Sequence, residues 1–156
     1  MLNRNIIGVD VNPLSFERCT AKCAFEREKT GKVDIRIGDA RNLNFIENES
    51  IDLICTHPPY ADIIKYSDGI KNDISLLKTK DFIKAMKPVA EECYRVLKND
   101  KFCAILIGDT RKNGKVVPLG FSIMRVFLNA GFTLKEIIIK EQHNCRATGF
   151  WKTSSI

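Results

Sequence analysis

Residues 51–60, IDLICTHPPY, decide how this chain is read. Their first half is apolar apart from Asp52, and it stops at His57, which is followed by Pro58, Pro59 and Tyr60. A short apolar run bounded by prolines is the pattern of a buried strand, and the proline pair makes the turn after it rigid. In a parallel sheet, ligands gather outside the carboxyl ends of the strands, so such a strand aims its His-Pro-Pro-Tyr end at a binding crevice.

Upstream, residues 5–11, NIIGVDV, read as a short strand closing on Asp10. Asn12 and Pro13 then suit an N-cap and first helical position, and Leu14, Phe16, Cys19, Cys23 and Phe25 follow at near-helical spacing until Gly31. Residues 32–38, KVDIRIG, alternate apolar and polar and end on Asp39, so a β-α-β unit precedes a polar connection over residues 42–50. Downstream, residues 61–78 have mixed periodicity around Gly69 and read as a long loop with a short helix. Residues 79–98 are predicted helical, with Phe82, Met86, Val89, Ala90, Cys93, Val96 and Leu97 on one side and Pro88 as a kink. After a turn at Asn99 and Asp100, residues 102–107, FCAILI, form a buried strand ending in Gly108 and Asp109. A basic loop, TRKNGKVV, leads to a helix over residues 118–130 closed by Gly131, and residues 132–142, FTLKEIIIKEQ, read as the last strand. Residues 143–156 show no period. Strands alternating with helices predict an α/β layered fold with a largely parallel sheet, in one domain over residues 1–156.

Composition narrows the function classes. A chain of 156 residues with 44% hydrophobic content can bury one core and has little room for a second. No stretch approaches the roughly 18 apolar residues of a membrane span, and the start, MLNRNIIGVD, is too short an apolar run for a signal peptide. A cytoplasmic protein without a membrane partner is expected. The net charge of +6, with 25 Lys and Arg, admits a polyanionic partner, although a solvated lysine-rich surface gives the same balance. The six cysteines include no CxxC pair. Cys19 and Cys23 share a helical face, but His57 and His143 are isolated, so reduced core cysteines are expected and no metal site.

A strand ending in GVD, a strand ending in GDA, a strand ending in PPY, a long helix and a strand ending in GD follow one another between residues 5 and 142. This order resembles a class I S-adenosylmethionine-dependent methyltransferase with a Rossmann-like sheet. The PPY loop resembles that of the DNA amino-methyltransferases, which act on N6 of adenine or N4 of cytosine and whose motif is Asp, Asn or Ser followed by Pro-Pro and an aromatic residue. The resemblance implies S-adenosyl-L-methionine as cofactor, DNA as partner and a place in DNA methylation of the restriction-modification kind. It also leaves open an RNA (tRNA) base methyltransferase of the same fold, a non-catalytic remnant of the fold, and a homo-oligomer.

The roles carried over are chemical. An exocyclic amino nitrogen is a poor nucleophile because its lone pair is delocalised into the ring, so acceptors on a rigid turn must take its hydrogens while an aromatic ring stacks on the extruded base. The resemblance places these roles on His57, Pro58, Pro59 and Tyr60. It assigns Asp10 to the cofactor ribose and Asp39, with Ala40 beside it, to the cofactor adenine, although each acid alone also suits a helix cap or a solvated strand end. Arg111, Lys112 and Lys115 of the basic loop are candidates for DNA phosphates, and Tyr66, in the segment after the motif, for a substrate loop.

Two features depart from the pattern. His57 stands where the family has an oxygen acceptor, and neutral histidine accepts through one ring nitrogen only, so it either accepts in a different geometry or packs the turn. No GxG occurs in the sequence, whereas the family wraps the methionine end of the cofactor in a glycine-rich loop after a strand preceding the GVD strand. The expectation is a sheet lacking that first strand and the final antiparallel strand, in a chain truncated at both ends.

Overall fold

The computed structural model describes residues 4–24, 31–61 and 65–141. His143 and Cys145 lie outside them, as does Phe25 of the first predicted helix. Two parallel strand pairs form the frame. Strand β1 (Ile6–Asp10) pairs with β2 (Val33–Ile37) in the register Asp10 to Ile37, and the helix between them, α1 (Pro13–Cys23), is the crossover. Asn12 caps α1, its side chain accepting from the Leu14 N–H at 2.9 Å, and Pro13 supplies the fixed φ of the first turn.

Strand β3 (Ile51–Thr56) is the apolar half of the opening stretch. It pairs in parallel with β4 (Leu97–Ile105), which follows the 18-residue helix α2 (Thr79–Val96). The register slips between Ile51 and Leu53, which pair with Leu97 and Phe102, so the Asn99-Asp100 turn is absorbed as a bulge with Asp100 at φ 58°. Helix α2 runs through Pro88 without interruption. Beyond β4 come a hairpin, β5 (Thr110–Lys112) with β6 (Lys115–Val117), and α3 (Leu119–Asn129). Gly131, at φ 114°, closes α3; a Cβ there would lie 2.9 Å from the Tyr94 ring, so both conformation and space require glycine.

The main core lies between α2, α3 and the inner face of β3–β4, where Phe82, Met86, Ala90, Leu119 and Ile123 are all but fully buried. A smaller cluster, Leu43, Ile46 and Val96, receives Val9 from β1 and Ile51 and Ile54 from β3. That cluster joins the two strand pairs. Arg95 and Glu92 of α2 reinforce it: Arg95 donates to the carbonyls of Leu43 (2.8 Å) and Ile46 (2.9 Å), and Glu92 accepts the Leu43 N–H. The Arg95 guanidinium holds the Glu92 carboxyl below the usual carboxylate range, against the opposing push of burial.

The α/β fold with parallel strands and flanking helices is as expected, but four details differ. Among the described residues the strands form three two-stranded ladders rather than one sheet, and β1 and β3 exchange no ladder hydrogen bonds. Residues 132–141, most of the segment expected as the last strand, form no ladder with another described residue, and Ile137, Ile138 and Ile139 are 64%, 84% and 89% exposed. The basic loop is a hairpin, because Asn113 and Gly114 both take positive φ (52° and 74°), the backbone a two-residue hairpin turn demands. Finally, α1 buries no residue fully, and Leu14 and Cys19 are exposed. Among the described residues no helix is long and apolar enough to cross a membrane.

Candidate active site at the strand ends

The HPPY turn is built from its backbone outward. β3 ends at Thr56, whose carbonyl accepts the Leu106 N–H at 2.9 Å and carries the pairing to the rim of the ladder. Pro58 is buried, Pro59 and Tyr60 are half-buried and His57 is exposed. Ala61, which ends the turn, is fully buried and has a left-handed backbone, φ 54°. A non-glycine residue there is strained, and burial against the main core over-determines it. Tyr60 is thereby laid over Gly108, just beyond the end of the neighbouring strand β4; a Cβ at Gly108 would lie 3.4 Å from Tyr60 Oη. His57 Nε2 and Tyr60 Oη are 3.0 Å apart, with the rings edge to face at 62°.

The two acids stand together at the carboxyl ends of β1 and β2, where the Gly38 N–H donates to the Asp10 carbonyl at 3.0 Å. Asp10 Oδ1 accepts the Asn12 N–H at 2.8 Å, and Oδ2 has no protein partner among the described residues. An acceptor left open at a strand end fits the hydroxyls of a ribose. Asp39 is more occupied. Arg41 Nε reaches both of its oxygens (2.9 and 3.0 Å), Nη2 reaches Oδ2 at 2.7 Å, and the Arg41 N–H reaches Oδ1 at 2.9 Å. Burial pushes the Asp39 carboxyl up, but the Arg41 side chain and backbone outweigh it and hold the group below the usual carboxylate range. Ala40 is exposed in the turn between Asp39 and Arg41.

The structure gathers His57, Pro58, Pro59 and Tyr60 into one turn, and Asp10, Asp39 and Ala40 at one pair of strand ends. Tyr66 joins the groups: the residue is 54% exposed, and its carbonyl accepts from Asn12 Nδ2 at 3.1 Å. Arg111, Lys112 and Lys115 sit on the hairpin that begins just after Gly108 and Asp109, so they are rooted beside the Tyr60 turn. Asp109 itself has a structural part, accepting the Gly120 N–H in the first turn of α3 at 2.9 Å. Sequence reasoning missed Arg41, Ala61 and the buried pair Asp73 and Ser75. Asp73 carried a legible signal, since an Asp two residues before a Ser at a helical start is a capping pattern; the other two carried none. Among the described residues no three His, Cys, Asp or Glu side chains converge on a common metal position.

A fold of parallel strands with a Pro-Pro-Tyr turn and two acidic strand ends defines a class, and comparison names the family. Residues 51–151 match the DNA methylase family, and the chain belongs to it. It is 34% identical to the type II methyltransferase M.MjaI of Methanocaldococcus jannaschii, in an alignment covering 70% of this chain and 45% of that protein. It is 29% identical to M.MjaVI, another type II methyltransferase of that organism, over 68% of this chain and 53% of that one. The chain thus spans about half the length of these relatives. Among solved structures, a SAM-dependent methyltransferase from Methanosarcina mazei superposes with a TM-score of 0.46 at 16% identity, over 66% of this chain and 42% of that one.

Proposed function

We propose that this chain forms the substrate-loop portion, with part of the cofactor site, of an S-adenosylmethionine-dependent DNA methyltransferase acting on an exocyclic amino nitrogen of adenine or cytosine. The observation that carries the reading is the HPPY turn. Buried Pro58 and left-handed, buried Ala61 fix Tyr60 over Gly108 at the carboxyl end of a parallel strand. Family membership and the resemblance to type II methyltransferases support it.

In this reading Tyr60 offers its ring as the stacking platform for an extruded base, and the Pro58 carbonyl accepts an amino hydrogen. His57 takes a different part from the oxygen acceptor of the family motif. Its Nε2 is engaged by the Tyr60 hydroxyl, so it orients the Tyr60 ring. Asp10 takes ribose hydroxyls on its open oxygen, Asp39 takes the adenine amino group, and Ala40 lies beside it. The bound cofactor supplies an electrophilic methyl group on sulfonium. Arg111, Lys112 and Lys115 meet phosphates flanking the target, which makes DNA the partner and the cytoplasm the expected compartment.

Methyl transfer from labelled S-adenosylmethionine to duplex DNA tests the reading, with tRNA as the competing substrate. Tyr60→Ala is expected to lower transfer to DNA by about 10- to 100-fold, the loss of 1–3 kcal/mol of stacking. Asp10→Ala is expected to weaken cofactor binding by at least about 10-fold, as the loss of hydrogen bonds to a charged group implies. Transfer to tRNA alone, or unchanged turnover in Tyr60→Ala, would overturn the assignment.

A further inference from the structure

Residues 66–76, just beyond the HPPY turn, are braced from within. Asp73 accepts the Ser67 hydroxyl at 2.6 Å and the Ser75 N–H at 2.8 Å, while Ser75 Oγ accepts the Tyr66 N–H at 3.0 Å. Ser75 is fully buried, and the 3₁₀ turn Ile74–Leu76 closes the segment against α2. The result is a strap with a fixed shape. Two latches tie it to the acidic strand ends. At one, Asn12 Nδ2 donates to the Tyr66 carbonyl while the Asn12 N–H donates to Asp10 Oδ1. At the other, Arg41 Nη2 donates to the Asn72 carbonyl at 3.2 Å and to Asp39 Oδ2 at 2.7 Å. Each cofactor acid is therefore one residue away from the strap.

The latches differ in what a ligand would do to them. Asp10 keeps an oxygen open, so hydroxyls can bind it without touching Asn12. Asp39 accepts four contacts from Arg41, which matches the about four lone-pair sites of a carboxylate. A ligand amino group bonding to Asp39 must take a position that Arg41 now holds. Because the same Nη2 serves Asp39 and Asn72, a guanidinium displaced from the acid also leaves the strap.

We infer that Arg41 is a positioning residue that couples the cofactor site to the substrate strap: an amino group engaging Asp39 releases the strap at Asn72, while Asn12 keeps it tethered at Tyr66. The inference rests on the methyltransferase reading of Asp10 and Asp39. It gives the order of events a physical basis. Arg41 and the amino group compete for the same carboxylate oxygens: where Arg41 holds them the strap is fastened at Asn72, and where the amino group holds them the strap pivots about Tyr66 beside the loop that receives the base.

Hydrogen exchange and cofactor titration on the whole chain test this, with circular dichroism confirming the fold of each variant. In the wild-type protein, S-adenosylmethionine is expected to speed exchange of the Asp73 amide, the next N–H after Asn72, and to leave the Tyr66 amide slow. Arg41→Ala is expected to speed Asp73 exchange without cofactor, to abolish the further change on adding it, and to bind cofactor several-fold more tightly because a competitor is gone. Arg41→Lys, with one ammonium in place of the fork, should fall between. Asn12→Ala should speed exchange at Tyr66 and leave the response at Asp73 intact. Slower exchange at Asp73 on cofactor binding, or weaker binding by Arg41→Ala, would overturn the coupling and leave the methyltransferase reading standing. No binding by the wild-type chain would overturn both.

Discussion

The two halves of the molecule that meet at the strand ends are held together by different physics. In the β3–α2–β4–α3 half, α2 alone buries Phe82, Met86, Val89, Ala90, Cys93 and Val96. In the β1–α1–β2 half, α1 buries no residue fully, and Ile6, Ile7 and Ile37 remain 52%, 41% and 55% exposed. The first half carries the HPPY turn on a packed core. The second carries the two acids on a strand pair joined to the rest through Val9, Arg41 and Asn12. Apolar burial is worth about 25 cal/mol per Å², whereas an exposed hydrogen bond nets about 1 kcal/mol, so stability resides with the half that carries the HPPY turn. The acidic ends belong to a part that opens at lower cost, which suits a site that must admit a ligand.

Core truncation should expose this difference most strongly. Phe82→Ala removes a fully buried ring between the strand layer and α3 and is expected to cost about 3–5 kcal/mol, read as a shift of the whole denaturation curve. Leu14→Ala, the corresponding truncation on α1, acts on a side chain already 49% exposed and should cost less than about 1 kcal/mol. Equal losses would mean that the halves are equally packed. Within the stable half, Ala61→Val sharpens the point. A β-branched residue is forced into a left-handed backbone at a site with no exposed surface, so a loss of about 1–3 kcal/mol is expected together with a displaced Tyr60. Thermal melts, with His57 ring resonances as a local probe of the Tyr60 contact, measure both.

What the sequence made legible follows the same division. Where apolar residues repeat and burial is deep, as at Phe82, Met86 and Cys93 of α2 and Ile123 and Phe127 of α3, periodicity located the elements to within a residue or two. The HPPY turn and the acids Asp10 and Asp39 were legible because prolines and strand-terminal acids stand out against apolar runs. Residues 132–141 have the composition of a strand in FTLKEIIIK but no ladder partner among the described residues, and a strand is defined only where another pairs with it. The Asn113-Gly114 hairpin was readable in principle from its dipeptide and was masked by the surrounding lysines and arginine. Arg41 was invisible, because its meaning lies in a carbonyl 31 residues away and no local pattern encodes that contact.

Acid should separate the halves most gently. Asp39 belongs to the Arg41 latch, Asp73 to the brace inside the strap, and Glu92 to the clamp under Leu43. Burial pushes the Asp73 carboxyl up, but hydrogen bonds from Ser67 and Ser75 outweigh it, so all three carboxyls are held below their ordinary values. A group whose carboxyl is depressed by folding contributes stability that is complete above its unfolded value, near 4, and is lost as the pH falls through the folded value. Stability should therefore be flat from neutral pH to about 5 and decline below about 4. The decline should begin at the latch and the brace, because the contacts that Asp39 and Asp73 hold are polar, whereas the Glu92 clamp adjoins the apolar cluster of Leu43, Ile46 and Val96. Amide exchange between pH 5 and 3, corrected for intrinsic rates, should show protection lost at Asp73 and Ser75 before it is lost at Phe82 or Cys103. A single transition shared by all four amides would show that the strap and the core unfold as one unit.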